Sequence, residues 1–135
     1  MSTMATDAST TVLARMCELP GMVNGDDALV RRGRFLDCDF LVGVGDVPVY
    51  VSVRGGRIAA LEQGERLTRR TDFAIRAAPE TWLRFWEAVP APGWHDLSAL
   101  VKQGAASMEG DFRVIMANLQ YFKDVLARPR ARAAG

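Results

Sequence analysis

One histidine, two cysteines and a few closely spaced carboxylates are the side chains of this sequence best suited to making and breaking bonds. His95 lies beside Asp96, after Pro90, Pro92 and Gly93, in a stretch that reads as a loop. A positioned imidazole there could act as a general base. No second histidine accompanies it, and Cys17 and Cys38 do not have the spacing of metal ligands, so no zinc site is expected. Asp37 and Asp39 alternate along a strand-like run and fall on its polar face, as solvated surface rather than an acid/base pair. Cys38 points the other way, with nothing nearby in sequence to lower its pKa. Gly43-Val44-Gly45 is followed by a hairpin pattern and not a helix start, so it fits neither nucleotide fingerprint. There is no Gly-x-Ser-x-Gly elbow.

What the sequence does hold in excess is large, soft apolar side chains in its second half. From Gln103 to Leu126 the pattern predicts a short strand, a turn at Gly110–Asp111 and one long helix capped by Asp111. Phe112, Ile115, Met116, Leu119, Phe122 and Leu126 recur at three- and four-residue steps, the spacing of one helix face. Pro79 suits a first helical position, and Trp82, Phe85, Trp86 and Val89 follow at helical spacing. Such residues either fill a core or line a cavity. Methionine and aromatic side chains adapt to irregular apolar guests, and sites of that kind often lie between packed elements.

The 135 residues fit one domain, 49% hydrophobic and 24% charged. With 17 basic and 16 acidic residues the net charge is +1, which argues against a nucleic-acid partner. Residues 1–10 read as a disordered leader with neither the basic nor the apolar region of a signal peptide. Residues 11–127 read as the domain, and residues 128–135 as a basic, solvated tail. No apolar run approaches the ~18 residues of a membrane span. Two cysteines do not make a disulfide framework, so reduced thiols and a cytoplasmic setting are expected.

Along the chain, Thr10 or Thr11 can cap a helix that runs to Leu19 and ends at Pro20-Gly21. Asp26 to Arg32 suits another turn or two of helix, acidic first and basic last. From Arg34 the period becomes two, with Leu36, Cys38, Phe40, Val42 and Val44 on one face. Val47 to Val53 follows as a second strand, a Gly55-Gly56 hairpin and a third strand from Arg57 to Glu62 come next, and Thr71 to Ala77 is a fourth. These strands are expected as an antiparallel meander with one wet face. Asp96 can cap a short helix with Leu97, Leu100 and Val101, and Ala106 and Met108 belong to a fifth strand. The fold class expected is α+β: five strands, largely antiparallel, with helices over one face.

Three stretches in this order resemble the sterol carrier protein type two (SCP2-like) domain family. The first is the strand pair with its glycine hairpin, Val47 to Ile58. The second is Thr71 to Trp82, where a strand leads into a helix carrying an aromatic residue. The third is Gln103 to Asp111, followed by the apolar helix through Gln120. The likeness spans roughly Leu29 to Leu126. It implies a five-stranded sheet covered by helices, with an apolar tunnel between them that takes a fatty acid, acyl-CoA, sterol or other lipid. On this chain the tunnel would be lined by Phe40, Val51, Phe73, Trp82, Phe85, Trp86, Met108, Phe112, Ile115, Met116, Leu119 and Phe122. It implies no cofactor and no catalytic residue. Ala105-Ala106-Ser107 is smaller and more polar than the family's usual strand, and the chain ends in Ala133-Ala134-Gly135 without a peroxisomal address.

The function expected is therefore non-catalytic binding or transfer of a hydrophobic ligand, with no integral membrane association. Arg76, Arg84 or Arg113 could meet a headgroup at the mouth. An enzyme acting on a terpenoid- or steroid-like substrate in the same pocket is the alternative, and it would need His95, Cys38 or Glu109 to face the ligand. A second copy of the chain, packed on the Phe112–Leu126 stripe, is a further candidate partner.

Overall fold

A computed structural model describes residues 3–64 and 70–130 of the chain, with side chains from residue 8. The expectations for residues 65–69 and 131–135 lie outside the described residues. Three helices open the chain: α1 (Thr3–Cys17), α2 (Leu19–Asn24) and α3 (Asp27–Arg32). Four strands follow, β1 (Asp37–Val44), β2 (Val47–Arg54), β3 (Arg57–Gln63) and β4 (Phe73–Ala77). Then come α4 (Pro79–Phe85), α5 (Leu97–Lys102), β5 (Ala106–Gly110), α6 (Phe112–Ala117) and α7 (Leu119–Leu126).

The first helix begins at Thr3, earlier than a cap at Thr10 or Thr11 would place it, and it ends at Cys17. Pro20 and Gly21 do not stop the chain but lie in the first turn of α2, where a missing amide costs no helical hydrogen bond. α3 forms where the acidic-to-basic run from Asp26 to Arg32 suited it, and Asp26 is its cap, the carboxylate accepting from the Leu29 amide at 3.1 Å.

The strands form one sheet in the order β3-β2-β1-β4-β5. β1 with β2, β2 with β3, and β4 with β5 are antiparallel, as expected. The meander is corrected at β4, which pairs not with β3 but with β1, in parallel, Phe40 beside Phe73 and Val42 beside Ile75. Alternation along a strand specifies which side chains share a face, but it carries no information about which neighbour the strand chooses.

Gly55 and Gly56 turn β2 into β3 with φ of +60° and +81°. Beyond them Asn24 caps the sheet edge. Its carboxamide donates to the Ile58 carbonyl at 3.0 Å and accepts from the Ile58 amide at 2.8 Å, so this part of β3 has both backbone groups satisfied.

Helices and sheet share one core on a single face. Cys38, Phe40, Val42, Val49, Val51, Phe73 and Ile75 from the strands meet Val12, Met16, Leu19, Trp82, Phe85, Leu97, Ile115 and Phe122 from the helices. The other face carries a small buried group of Leu41, Tyr50 and Ala74.

Candidate functional site

The apolar residues divide sharply by element. Phe40 and Phe73 stack with centroids 5.0 Å apart, and Phe122 from α7 stands edge-on to both, at 5.4 and 4.8 Å. Trp82 packs on Phe85 at 6.1 Å and on Trp86 at 5.8 Å. Val51 and Ile115 are buried in the same core. At these points aromatic rings meet one another, so sheet and helices are filled against each other. Met108 and Leu119 are only partly buried and pack on the rim of that core.

Phe112 and Met116 depart from the expectation. The period puts both on the inward face of one long helix, yet they stand 51% and 57% exposed. The reason is a break in that helix. α6 ends at Ala117 and α7 restarts at Leu119, because Asn118 leaves helical geometry at φ −127°, ψ 26°. Its side chain turns back to the Val114 carbonyl at 3.1 Å, the local competition with the helix ladder that asparagine offers. The break rotates α6 relative to α7, leaving Ile115 as the buried residue of α6. In α7, Tyr121, Phe122, Val125 and Leu126 are buried against the chain's own core, so that half of the stripe is covered by the chain itself, while Phe112 and Met116 stay exposed. Val89 leaves the core for a related reason: α4 ends at Phe85, and Val89 lies in the following loop, 77% exposed.

The polar ends of the large rings are satisfied by backbone carbonyls. Trp82 donates to Gly43 at 3.1 Å, Trp86 to Leu126 at 2.7 Å and the Tyr121 hydroxyl to Gly56 at 2.7 Å. These bonds pin α4 to β1 and α7 to the β2–β3 hairpin. Spacing could mark the rings as inward; it could not find their acceptors, which are remote in sequence.

The three candidate chemical groups stand apart from one another. His95 is exposed in the loop before α5. Glu109 pairs with Arg76 at 3.0 Å on the sheet face away from the helices. Cys38 faces the core, where burial, and then the charges of Asp72 and Asp39, push its thiol up to about 12. It is therefore a protonated thiol at neutral pH and a poor nucleophile. Burial also raises the Tyr121 hydroxyl, with Cys38 adding to the effect. Among the described residues no three His, Cys, Asp or Glu side chains could together hold a metal ion.

The two thiols should differ in reactivity. Cys17 is exposed and Cys38 buried, so a disulfide-exchange reagent at mild pH should titrate one thiol in the native protein and both after denaturation. The folded state holds the Cys38 proton where the unfolded chain, with a thiol pKa near 9.0, releases it. The native state thus binds more protons above that pH, and stability should fall as pH climbs from about 9 toward 12. An alkaline denaturation series on wild type and Cys38→Ser, whose slope should be shallower, checks this.

The arginines expected as headgroup partners are also placed. Arg84 lies over the Trp94 ring at 3.7 Å and Arg76 is paired as above. Arg113 is 94% exposed, with Asp111 at 3.5 Å. The expected solvated tail is corrected for its first residues. Arg128 pairs with Asp26 at 3.0 Å, Pro129 is buried, and Arg130 donates to the carbonyls of Phe85 and His95. An open polar cleft of about 90 Å³ between α3 and α7 is lined by two ion pairs, Arg32–Asp124 and Arg128–Asp26, whose charges satisfy each other.

No protein-family model and no curated protein matches the sequence. Solved structures do match the fold. A crystal structure of sterol carrier protein 2 superposes with a TM-score of 0.69 at 17% identity, covering 89% of this chain and 96% of that one. A conserved hypothetical protein from Thermus thermophilus superposes at 0.62 and 16% identity, with 90% of each chain covered. A UbiJ-SCP2 ubiquinone synthesis protein superposes at 0.57 and 15% identity, over 89% of this chain and 91% of that one. No helix among the described residues is long and apolar enough to cross a membrane. The five-stranded mixed sheet, its helices on one face and nearly full-length superposition together give this chain the sterol carrier protein 2 fold.

Proposed function

We propose that this chain binds and transfers a single hydrophobic ligand, a fatty acyl chain or a lipid of similar girth, between α6 and the sheet. One observation carries this reading. Phe112 and Met116 are large apolar groups half in solvent, before and after the buried Ile115, on a helix of only six residues. Large apolar groups exposed one turn apart on the same helix face mark a place where something apolar enters or docks. α6 is bounded by Gly110, at φ +110°, and by the break at Asn118, so few backbone angles need to change for it to lift. Lifting it would open a slot floored by Phe40, Phe73 and Phe122, walled by Met108, Ile115 and Leu119, with Phe112 and Met116 at the mouth. Val51 and the Trp82–Phe85–Trp86 group would form the deeper apolar wall.

Burying a methylene contributes about 0.8 kcal/mol, so a chain of ~12 methylenes could supply on the order of 10 kcal/mol. Association and ordering take back ~4 kcal/mol or more. Micromolar affinity is reachable without a charged anchor. The shared fold supports the reading, and the free thiols Cys17 and Cys38 agree with work in the cytoplasm.

Displacement of fluorescently labelled palmitate, together with native mass spectrometry of protein taken from cells, tests it. Dissociation constants near micromolar and co-purifying lipid are expected. Leu119→Arg, which would put a charge on the slot wall, should weaken palmitate binding by at least about tenfold. Wild-type protein that takes up no apolar probe would refute the proposal.

A further inference from the structure

β3 lies at the edge of the sheet, and a bare edge offers its unpaired backbone groups to any other chain. At Ile58 one side chain closes that edge. Asn24, the last residue of α2, donates from Nδ2 to the Ile58 carbonyl at 3.0 Å and accepts at Oδ1 from the Ile58 amide at 2.8 Å. Its own carbonyl accepts from Arg57 at 3.2 Å. The ladder between β2 and β3 shifts register next to this point, between Ser52 and Val53, so the edge is irregular where the clamp grips it. A carboxamide fills both roles of the clamp at once, donor and acceptor, whereas a carboxylate only accepts.

The residue after the clamp is a glycine. The sequence has two asparagines, and only Asn24 precedes a glycine; Asn118 precedes Leu119. Without a Cβ, Gly25 leaves its amide nitrogen open to the side-chain carbonyl carbon of the residue before it. In the fold both reacting groups are engaged elsewhere. The Gly25 amide donates to the Gly21 carbonyl at 3.2 Å, and the Asn24 carboxamide is held by Ile58. That guard is local. α2 has six residues and no side-chain cap at Glu18. A helix so short depends on its packing, and such segments open at lower free energy than the central strands.

We propose that Asn24 is a modification site guarded by its own clamp, and that its conversion to aspartate or isoaspartate releases the β3 edge for good. When the end of α2 opens, the Gly25 nitrogen gives its proton to hydroxide and attacks Asn24 Cγ. The bond from Cγ to the side-chain nitrogen breaks, that nitrogen takes a proton, and ammonia leaves behind a five-membered imide. Water then adds to either imide carbonyl. Cleavage at Cγ gives aspartate, and cleavage at the main-chain carbonyl gives isoaspartate. One water enters, one ammonia departs, and nothing is oxidised or reduced. The product has a carboxylate where the Ile58 carbonyl had a donor, so the clamp cannot close again. Isoaspartate also adds a methylene to the backbone between α2 and α3. The site is separate from the slot under α6, and the inference holds whether or not that slot takes a lipid.

The test is incubation of the full chain in mildly alkaline buffer, with and without unfolding urea, followed by peptide mass spectrometry. The exchange of the side-chain amide for a carboxyl should appear at Asn24 and run at least about tenfold faster in urea, where the guard is gone. In the same urea Gly25→Ala should slow it at least about tenfold, a comparison that needs no folded variant. The modified chain, separated by its added negative charge and refolded, should unfold at lower urea than the unmodified chain. Its Ile58 amide should exchange with solvent at least about tenfold faster. Asn24→Asp, expressed directly, should show the same lower midpoint and faster exchange. Equal conversion rates in buffer and urea would overturn the guard. Conversion at Asn118 as fast as at Asn24 would overturn the site. A modified chain and an Asn24→Asp variant with wild-type midpoint and Ile58 exchange would overturn the release of the edge.

Discussion

Replacing Phe122 with alanine should cost about 3–5 kcal/mol of folding stability and leave a void that takes up a small apolar guest. The ring has no solvent exposure and touches Phe40, Phe73 and Tyr121, with centroids 4.8–5.6 Å away. Each such pair adds roughly 0.5–1.5 kcal/mol beyond its buried area. Two of its neighbours sit on adjacent strands tied by the β1–β4 ladder, so the wall cannot collapse inward to fill the gap. A chain of this size has only about 5–15 kcal/mol in all, and the variant should unfold at much lower urea. An apolar void stays dry and can hold a guest of benzene size. Urea denaturation with and without benzene measures both effects. A loss below about 1 kcal/mol would mean that the three rings do not act as a unit. The same variant reports on the proposed ligand slot. If the acyl chain runs along the Phe40–Phe73–Phe122 floor, palmitate should bind more tightly once the third ring is gone, and unchanged affinity would place the chain elsewhere.

Gly56→Ala should be nearly as damaging, for a different reason. Gly56 lies at φ +81°, and a Cβ there would come 2.3 Å from the Val30 carbonyl oxygen and 2.8 Å from the Gly33 carbonyl carbon. Both obstacles are backbone and cannot rotate away. A non-glycine residue at positive φ costs roughly 1–3 kcal/mol, and overpacking adds about 1–3 more. Any shift of the hairpin would also stretch the 2.7 Å bond from the Tyr121 hydroxyl to the Gly56 carbonyl. The expected loss is on the order of 3–5 kcal/mol. Gly21→Ala is the control. Gly21 is helical, a Cβ there would meet nothing within 4 Å, and alanine should raise stability by about 0.5–1 kcal/mol. Thermal melts of the two variants should move in opposite directions. A Gly56→Ala melt at or above wild type would show that the hairpin is not held against the α3–β1 turn.

Period and punctuation in the sequence determined most of the elements. The alternation of Leu36, Cys38, Phe40, Val42 and Val44, the Gly55-Gly56 turn, Pro79 at a helix start, the short helix after Asp26 and the Asp111 cap all stand where residue type and spacing put them. Each depends on forces that act within a few residues. The order of the three resemblance stretches also carried the fold, because together they span nearly the whole domain. Tertiary structure decided what local forces leave open. Strand pairing is a contest between distant partners, and β4 took β1 in parallel where adjacency in sequence suggested β3. One helix became two because the Asn118 side chain bonds back to Val114, and that break moved Phe112 and Met116 from the inward face to the surface. The carbonyl partners of Trp82, Trp86 and Tyr121 lie 39 to 65 residues away, and the docked Arg128–Arg130 segment likewise depends on groups far along the chain. A hydrophobic period says that a face must be covered; which surface covers it is settled only when all the faces compete for the same core.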